Sequence, residues 1–116
     1  MNPSDLILAL FNARTAAHIA HLQTKSYATH KALGGFYEGI IDLADRFAET
    51  WMGLSGEVIK FAGTSFKVDK DPVVMLKNLR GVVAEARGKC EHYHLKQILD
   101  DTLELIDTTA YLLTLK

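Results

Sequence analysis

The chain has 116 residues, of which 48% are hydrophobic and 23% charged, and its formal net charge is -1. A chain of this length buries one core and is too short for two, so we expect a single domain. The near-neutral charge argues against nucleic acid as a partner, because affinity for phosphates requires an excess of Lys and Arg. The apolar run LILALF near the N-terminus is too short to span a membrane. With one cysteine, Cys90, and no secretion signal, we expect a cytoplasmic protein without a membrane partner.

Two amphipathic helices joined by a tight turn are predicted in the first half of the chain. Apolar residues at steps of three and four indicate a first helix that runs to about Leu22. The polar residues 23–26 interrupt the pattern, and Ser26 or Thr24 is suited to cap a second helix, Tyr27–Trp51. The core positions expected in these two helices are Leu6, Leu10, Ala13, Ala17, Ala20, Leu33, Phe36, Tyr37, Ile40, Ala44, Phe47, Ala48 and Trp51.

Three glycines interrupt the second helix. Gly34, Gly35 and Gly39 each cost about 1 kcal/mol relative to alanine in a helix interior. Such a cost needs a compensating reason in the fold. We expect either a kink at this point or the close approach of another backbone.

A long connection separates the second helix from two further helices. The glycine-rich residues 52–71 contain a small amphipathic piece, residues 57–61, that is suited to a short helix. Asp71 and Pro72 form a helix start, and Gly88 is expected to end the third helix. The fourth helix is expected from about Glu91 to Leu113. The core positions expected in these two helices are Val73, Leu76, Leu79, Val83, Ala86, Leu95, Ile98, Leu99, Thr102, Ile106 and Ala110.

The order of these elements predicts an all-α fold, a single four-helix bundle over residues 1–116. Neighbouring helices of an up-and-down bundle are joined by short loops, whereas residues 52–71 are long enough to carry the chain back along the bundle. We therefore expect a ferritin-like bundle with a long crossover between helices two and three.

Four polar residues in the first two helices stand out by type and spacing: His18, His30, Asp45 and Glu49. The tight hairpin brings the two histidines to the same end of the bundle, where they can share a ligand. Asp45 and Glu49 lie one helical turn apart, which offers two carboxylates to one cation. His30 and Asp45 are separated by about 22 Å of helix. One chain cannot bring all four to one ion, so a shared site requires a second copy, antiparallel across a two-fold axis.

The order and spacing of these four residues resemble the intersubunit ferroxidase motif of the Dps-type mini-ferritins, a ferritin-like family. The resemblance implies that His18 and His30 of one subunit face Asp45 and Glu49 of its dimer mate, with Asp45 as the bridging carboxylate and Glu49 as the terminal one. It also implies a homodimer or larger homo-oligomer, and iron as the metal. The family usually has tryptophan after the first histidine, where this chain has Ile19, and no lysine-rich tail is present. DNA protection is therefore not expected.

The ligand types set the chemistry expected of such a site. Imidazole and carboxylate suit Fe(II), Zn(II) and Mn(II), and a site with open positions can oxidise Fe(II) with oxygen or peroxide. The residues leave open whether the protein is an enzyme, although the resemblance implies a ferroxidase.

The alternative is a non-enzymatic helical assembly or accessory protein without a functional metal site. In that interpretation His18 packs in the hairpin, His30 helps to cap helix two, and Asp45 and Glu49 form a solvated surface with Arg46. The segment HLQTKSYATHKAL is similar to small uncharacterised proteins of tailed bacteriophages. A phage-encoded protein of this kind would work in the host cytoplasm.

Weaker signals lie outside the four-residue set. His21 lies one turn from His18 and is a candidate further ligand or supporting residue. Glu91 and His94 form one copy of the E-x-x-H element of di-iron bundles, which need two copies. They would join the His18 end only if the bundle were simply up and down. Arg87 and His92 fit the loose arginine and histidine spacing of helical HEPN-type ribonucleases.

Overall fold

A computed structural model describes residues 3–63 and 69–116 of the protein. These residues form four α-helices and no β-strand: α1 (Pro3–Gln23), α2 (Tyr27–Ser55), α3 (Pro72–Lys89) and α4 (Tyr93–Leu112). The predicted all-α four-helix bundle is confirmed. By residue type Asn2 or Ser4 is suited to cap the first helix; Asn2 lies outside the described residues, and Ser4 lies within α1.

The packing of the helices identifies the crossover. α1 and α4 each pack against α2 and α3. Within the described ranges, α1 makes no packing contact with α4, and α2 makes none with α3. The consecutive helices α2 and α3 are therefore diagonal to each other. This is the arrangement of a bundle in which a long connection crosses between the second and third helices.

Side-chain contacts fix the relative directions of α2, α3 and α4. Arg80 pairs with Asp107 and Arg87 pairs with Asp100, so α3 and α4 are antiparallel. The Arg80 guanidinium donates hydrogen bonds to Asp107 and lowers the pKa of that carboxyl group below its usual range. The Arg87 guanidinium has the same effect on the pKa of Asp100. Each of these pairs is solvent exposed, so it fixes the register of the hairpin more than it adds stability.

The same reasoning makes α2 and α4 antiparallel. Arg46 pairs with Asp101, and Gly39, earlier in α2, lies against the side chain of Leu105, later in α4. Because α2 and α3 are both antiparallel to α4, they run in the same direction. The connection between them must therefore return along the whole length of the bundle, and the predicted crossover is confirmed.

The amphipathic piece of the crossover is not helical. Residues 57–61 have no regular secondary structure, so the prediction of a short helix there is wrong. Ile59 is nevertheless buried at 8% exposure in the core cluster. One apolar side chain fixes this stretch to the bundle, which explains its amphipathic pattern without a helix.

The helix ends follow backbone conformation. Ser26 caps α2 by accepting the Thr29 N–H, and Asp71 caps α3 with proline in the first turn, as predicted. α2 continues beyond the predicted end at Trp51 because the left-handed residue that terminates it is Gly56, at φ 72°. The prediction that Gly88 ends α3 is also wrong. The helix passes through Gly88 to Lys89, and the extended Cys90 ends it.

The core lies between the four apolar faces. Most predicted core residues are buried, and Phe36, Phe47, Leu33, Leu99 and Val83 are fully enclosed. Ala20, Tyr37, Ala48 and Trp51 are only partly buried. The predicted burial of Val73 and Ala110 is wrong.

Val73 is exposed because the buried face of α3 passes through Met75 and Leu76. Ala110 is exposed because the step after Ile106 is three residues, which buries Thr109. The other buried threonine, Thr102, donates its hydroxyl proton to the Ile98 carbonyl oxygen at 2.8 Å.

Candidate functional site

Four rings meet where α1 and α2 form their hairpin. His18 and His21 lie one turn apart near the end of α1, and they face His30 and Tyr37 of α2. The His18 ring stacks on Tyr37 with centroids 4.1 Å apart and planes 9° from parallel. The His21 ring stacks on His30 at 3.7 Å and 18°. His21 also meets the Tyr37 ring edge-on at 5.2 Å, so the rings form one connected cluster.

Reciprocal hydrogen bonds join the two stacked histidines. His21 Nδ1 lies 2.6 Å from the His30 carbonyl oxygen, and His30 Nδ1 lies 2.8 Å from the His21 carbonyl oxygen. A carbonyl oxygen only accepts, so each Nδ1 must carry the proton and donate it. In the neutral rings the lone pair therefore lies on Nε2 in both histidines. An imidazole that donates its other N–H to a backbone carbonyl is the usual form of a metal-binding histidine.

Gly34 makes room for this pair. A Cβ atom added at Gly34 would lie 3.2 Å from Cε1 and 3.3 Å from Nδ1 of His21. α2 continues as a helix through this position. The predicted close approach therefore exists, but the neighbour is an imidazole ring and not a backbone. Gly39 has a similar role against Leu105, whose Cδ2 would lie 3.0 Å from an added Cβ.

A partly open cleft lies beside the ring cluster. Its volume is about 300 Å³, and its lining is mostly polar. The lining residues are His21, His30, Lys31, Gly34, Gly35, Tyr37 and Glu38. A small ion or polar group therefore has access to the side of the hairpin on which both stacked histidines lie.

The predicted carboxylates lie elsewhere on α2. Asp45 and Glu49 are exposed, and neither forms an ion pair or hydrogen bond with the described part of the chain. The neighbouring Arg46 pairs with Asp101 of α4 at 3.3 Å, so it does not neutralise them. With Glu38 and Asp42 they form one acidic stripe, which we define as Glu38, Asp42, Asp45 and Glu49, all exposed.

The structure therefore places the four predicted ligands in two groups. His18 and His30 belong to the ring cluster at the hairpin, whereas Asp45 and Glu49 lie in the acidic stripe, about 22 Å along α2 from His30 to Asp45. Within residues 3–63 and 69–116, no three His, Cys, Asp or Glu side chains are grouped as ligands for one metal ion. The intersubunit site remains a prediction, because it requires a second copy.

The weaker candidates lie at the opposite end of the bundle. α4 begins beside the far end of α2, so Glu91 and His94 are remote from the ring cluster and cannot join it within one chain. Arg87 is held by Asp100, and the Cys90 thiol is buried and lies 3.7 Å from the His92 carbonyl oxygen. Cys90 therefore has a structural environment.

The pattern of the sequence underestimated His21, Tyr37 and Gly34. In the sequence His21 is a secondary candidate, Tyr37 is a core position, and Gly34 predicts either a kink or a close approach. A usable signal exists in the register of the hairpin. His18 of α1 lies against Tyr37 of α2. His21, three residues later in α1, lies against Gly34, three residues earlier in α2, as the antiparallel register requires.

Comparisons with known proteins give a family and a phage relative. The model of a family of unknown function, DUF5856, matches residues 21–113. The chain is also similar to an uncharacterized 14.6 kDa protein from the mobD-ri intergenic region of Enterobacteria phage T4. The two are 28% identical over 109 residues, which cover 92% of this chain and 84% of the phage protein. No solved structure matches the chain significantly. Among the described residues, no helix is long and apolar enough to cross a membrane.

Proposed function

This chain belongs to the DUF5856 family, and from that premise we propose that it is a homo-oligomeric helical bundle that binds a divalent metal ion between subunits. The ligands are His18 and His30 of one subunit and Asp45 and Glu49 of its mate, as in the ferritin-like proteins of the Dps type. Iron is the metal we propose first, with Zn(II) and Mn(II) as alternatives. Fe(II) would be the substrate, oxidised with oxygen or peroxide as the electron acceptor.

The unpaired acidic stripe carries this proposal. Like charges three or four residues apart on a helix repel each other, yet its four carboxylates have no cationic partner in the described part of the chain. Three of the four carboxylates of α4 differ, because Asp100, Asp101 and Asp107 are each paired with an arginine. The stripe is therefore the face of the bundle that a cation from outside the chain would stabilise.

The donor set of the histidine group fits the same proposal. His30 donates Nδ1–H to a carbonyl oxygen, so its Nε2 lone pair is available to a metal ion. No hydrogen bond engages His18 within the described residues, and its ring stacks on Tyr37. Two imidazoles and two carboxylates make a mixed N and O donor set suited to first-row divalent ions.

Charge-neutral variants of the stripe test the proposal. Asp45→Asn combined with Glu49→Gln should lower bound metal and the Fe(II) oxidation rate at least tenfold, because both oxygen ligands lose their charge. The matched control is Glu38→Gln combined with Asp42→Asn, an equally exposed pair at the same helical spacing. Metal content follows from elemental analysis, and oxidation from the absorbance of Fe(III). Equal effects of the two double variants would overturn the assignment of Asp45 and Glu49.

Mixing variants tests whether the site lies between subunits. A His30→Ala protein and the Asp45→Asn, Glu49→Gln protein should each be inactive alone. In a two-fold dimer, each heterodimer regains one intact site of two, so an equal mixture recovers about a quarter of the native sites. Light scattering after size exclusion gives the oligomeric state in parallel. A protein that stays monomeric with metal present, or a mixture without recovery, would rule out the intersubunit site.

The second candidate is a non-enzymatic assembly or accessory protein, phage-encoded and acting in the host cytoplasm. The reciprocal His21 and His30 bonds favour it, because they give these rings a structural role in closing the hairpin without a metal. The similarity to the phage T4 protein also supports it. This candidate predicts an oligomer whose mass and stability do not change when a chelator is added.

A further inference from the structure

We propose that His21 is a positioning residue, which together with Gly34 fixes His30 in its Nδ1–H form and leaves the His30 Nε2 lone pair for a ligand of the cleft. His21 is not one of the four residues of the proposed metal site. That this ligand is a metal ion rests on the proposed function. Which ring nitrogen of His30 carries the proton does not depend on it.

The first step is the hydrogen bond that His30 itself makes. Its Nδ1–H donates to the carbonyl oxygen of His21, 2.8 Å away. This carbonyl lies in the last turn of α1, where backbone oxygens lack partners from the same helix. The oxygen is therefore both available and unable to donate, and only the Nδ1–H form of His30 can satisfy it.

The second step is the support that the His21 side chain gives to this geometry. Its ring covers one face of His30 at 3.7 Å, and its own Nδ1–H donates to the His30 carbonyl oxygen at 2.6 Å. The His30 ring thus cannot rotate away without disturbing the stack. The two helix ends are held together by side chain to backbone bonds in both directions.

The third step is the confinement of His21. Gly34 lies on one side, where an added Cβ would be only 3.2 Å from His21 Cε1, and the Tyr37 ring contacts His21 edge-on. Tyr37 also stacks on His18. The His21 ring therefore contacts both predicted histidine ligands. Its centroid lies 3.7 Å from that of His30 and 6.0 Å from that of His18.

The variant His21→Phe separates these effects. Phenylalanine keeps a ring beside His30 and removes the Nδ1–H donor. Long-range proton and nitrogen-15 correlation spectra of the histidine side chains, recorded at alkaline pH without metal, report which ring nitrogen carries the proton. The native protein should show His30 in the Nδ1–H form. His21→Phe keeps the backbone carbonyl of residue 21 that accepts the His30 Nδ1–H, and it loses the hydrogen bond that holds the two rings in register. The ratio of the Nδ1–H to the Nε2–H form should therefore fall, by at most about fivefold, which is the factor that one ordinary hydrogen bond contributes.

Two further variants keep the test decisive. His94→Phe is the matched control, since His94 is exposed at the far end of the bundle, and its spectrum of His30 should equal the native one. If His21→Phe does not fold, Gly34→Ala gives the same test, because its Cβ forces the His21 ring to shift by a few tenths of an ångström. An unchanged His30 ratio in the folded variant would overturn the positioning role.

Metal titration gives a separate result. If the proposed function holds, Co(II) titration should show affinity 10 to 100 times weaker in His21→Phe, the usual effect of removing a residue that orients a ligand. A native protein that binds no Co(II), together with a changed His30 ratio in His21→Phe, would refute the metal site and support the role of His21. Weaker Co(II) binding with an unchanged ratio would overturn that role while leaving the metal site intact.

Discussion

Adjacent glycines in α2 provide a matched pair of substitutions. Gly34→Ala and Gly35→Ala each replace a helix-interior glycine by alanine, one residue apart in the same helix. An added Cβ at Gly35 meets no heavy atom within 4 Å in the described structure, whereas one at Gly34 meets the His21 ring at 3.2 Å. The two variants therefore share the gain in helix propensity and differ in their effect on His21.

The magnitudes follow from these contacts. Alanine is favoured over glycine in a helix interior by about 1 kcal/mol, so Gly35→Ala should raise the free energy of unfolding by about that amount. In Gly34→Ala the His21 ring must shift by a few tenths of an ångström, which weakens its hydrogen bond to the His30 carbonyl and its stack on the His30 ring, together worth about 1 to 2 kcal/mol. We expect Gly34→Ala to be neutral or destabilising by about 1 kcal/mol. The two variants should thus differ by about 1 to 2 kcal/mol.

Urea unfolding monitored by far-UV circular dichroism measures both values, and equal m-values would show that the unfolded states are comparable. A double variant isolates the cause. In a His21→Ala background the ring is gone, so Gly34→Ala should recover the full stabilisation of about 1 kcal/mol. Equal stabilisation by Gly34→Ala and Gly35→Ala in the native background would refute the confinement of His21.

Three further results are expected. Phe47→Ala, at a fully buried position, should lower the unfolding free energy by about 3 to 5 kcal/mol, and a loss below about 1 kcal/mol would contradict its place in the core. Asp71→Ala removes the cap of α3 and should cost about 1 kcal/mol, with Asp71→Asn closer to native. The hydrogen bond from Arg80 lowers the pKa of Asp107, so the charged carboxylate stabilises the fold above the unfolded pKa of about 3.9 and this contribution is lost as pH falls through the lower folded value. Thermal unfolding of Asp107→Asn should therefore depend less on pH below about 4 than that of the native protein, and parallel curves would contradict this.

The fold was largely predictable because its strongest determinants are local. Apolar spacing identified four helices, and the caps Ser26 and Asp71 marked two starts. The long linker predicted the crossover. Two of the errors lie at helix ends, near Gly53 and Gly88, because a glycine costs only about 1 kcal/mol in a helix and packing of the neighbouring turns offsets that amount. A helix stops where the backbone leaves the helical region, which the residue type alone does not determine.

The site was less predictable for a physical reason. Helical spacing assigns a residue to an end and a face, so it placed His18 and His30 together at the hairpin and separated them from Asp45. It does not assign a rotamer. The stack of His21 on His30 depends on both side-chain rotamers and on the missing Cβ of Gly34, and none of these is visible in the periodicity.

The charge distribution bears on both proposals, the metal site between subunits and the metal-free assembly. Along α2, Lys31 lies near the hairpin, and the acidic stripe, from Glu38 to Glu49, follows it. A second copy packed antiparallel on this face would bring the cationic hairpin end, with Lys25, against the carboxylates. Opposite charges would then meet across the two-fold axis in either case. An assembly held by these charges alone would weaken as the salt concentration rises, and a chelator would not change it. An assembly that also needs a bound metal ion would weaken with salt and with a chelator.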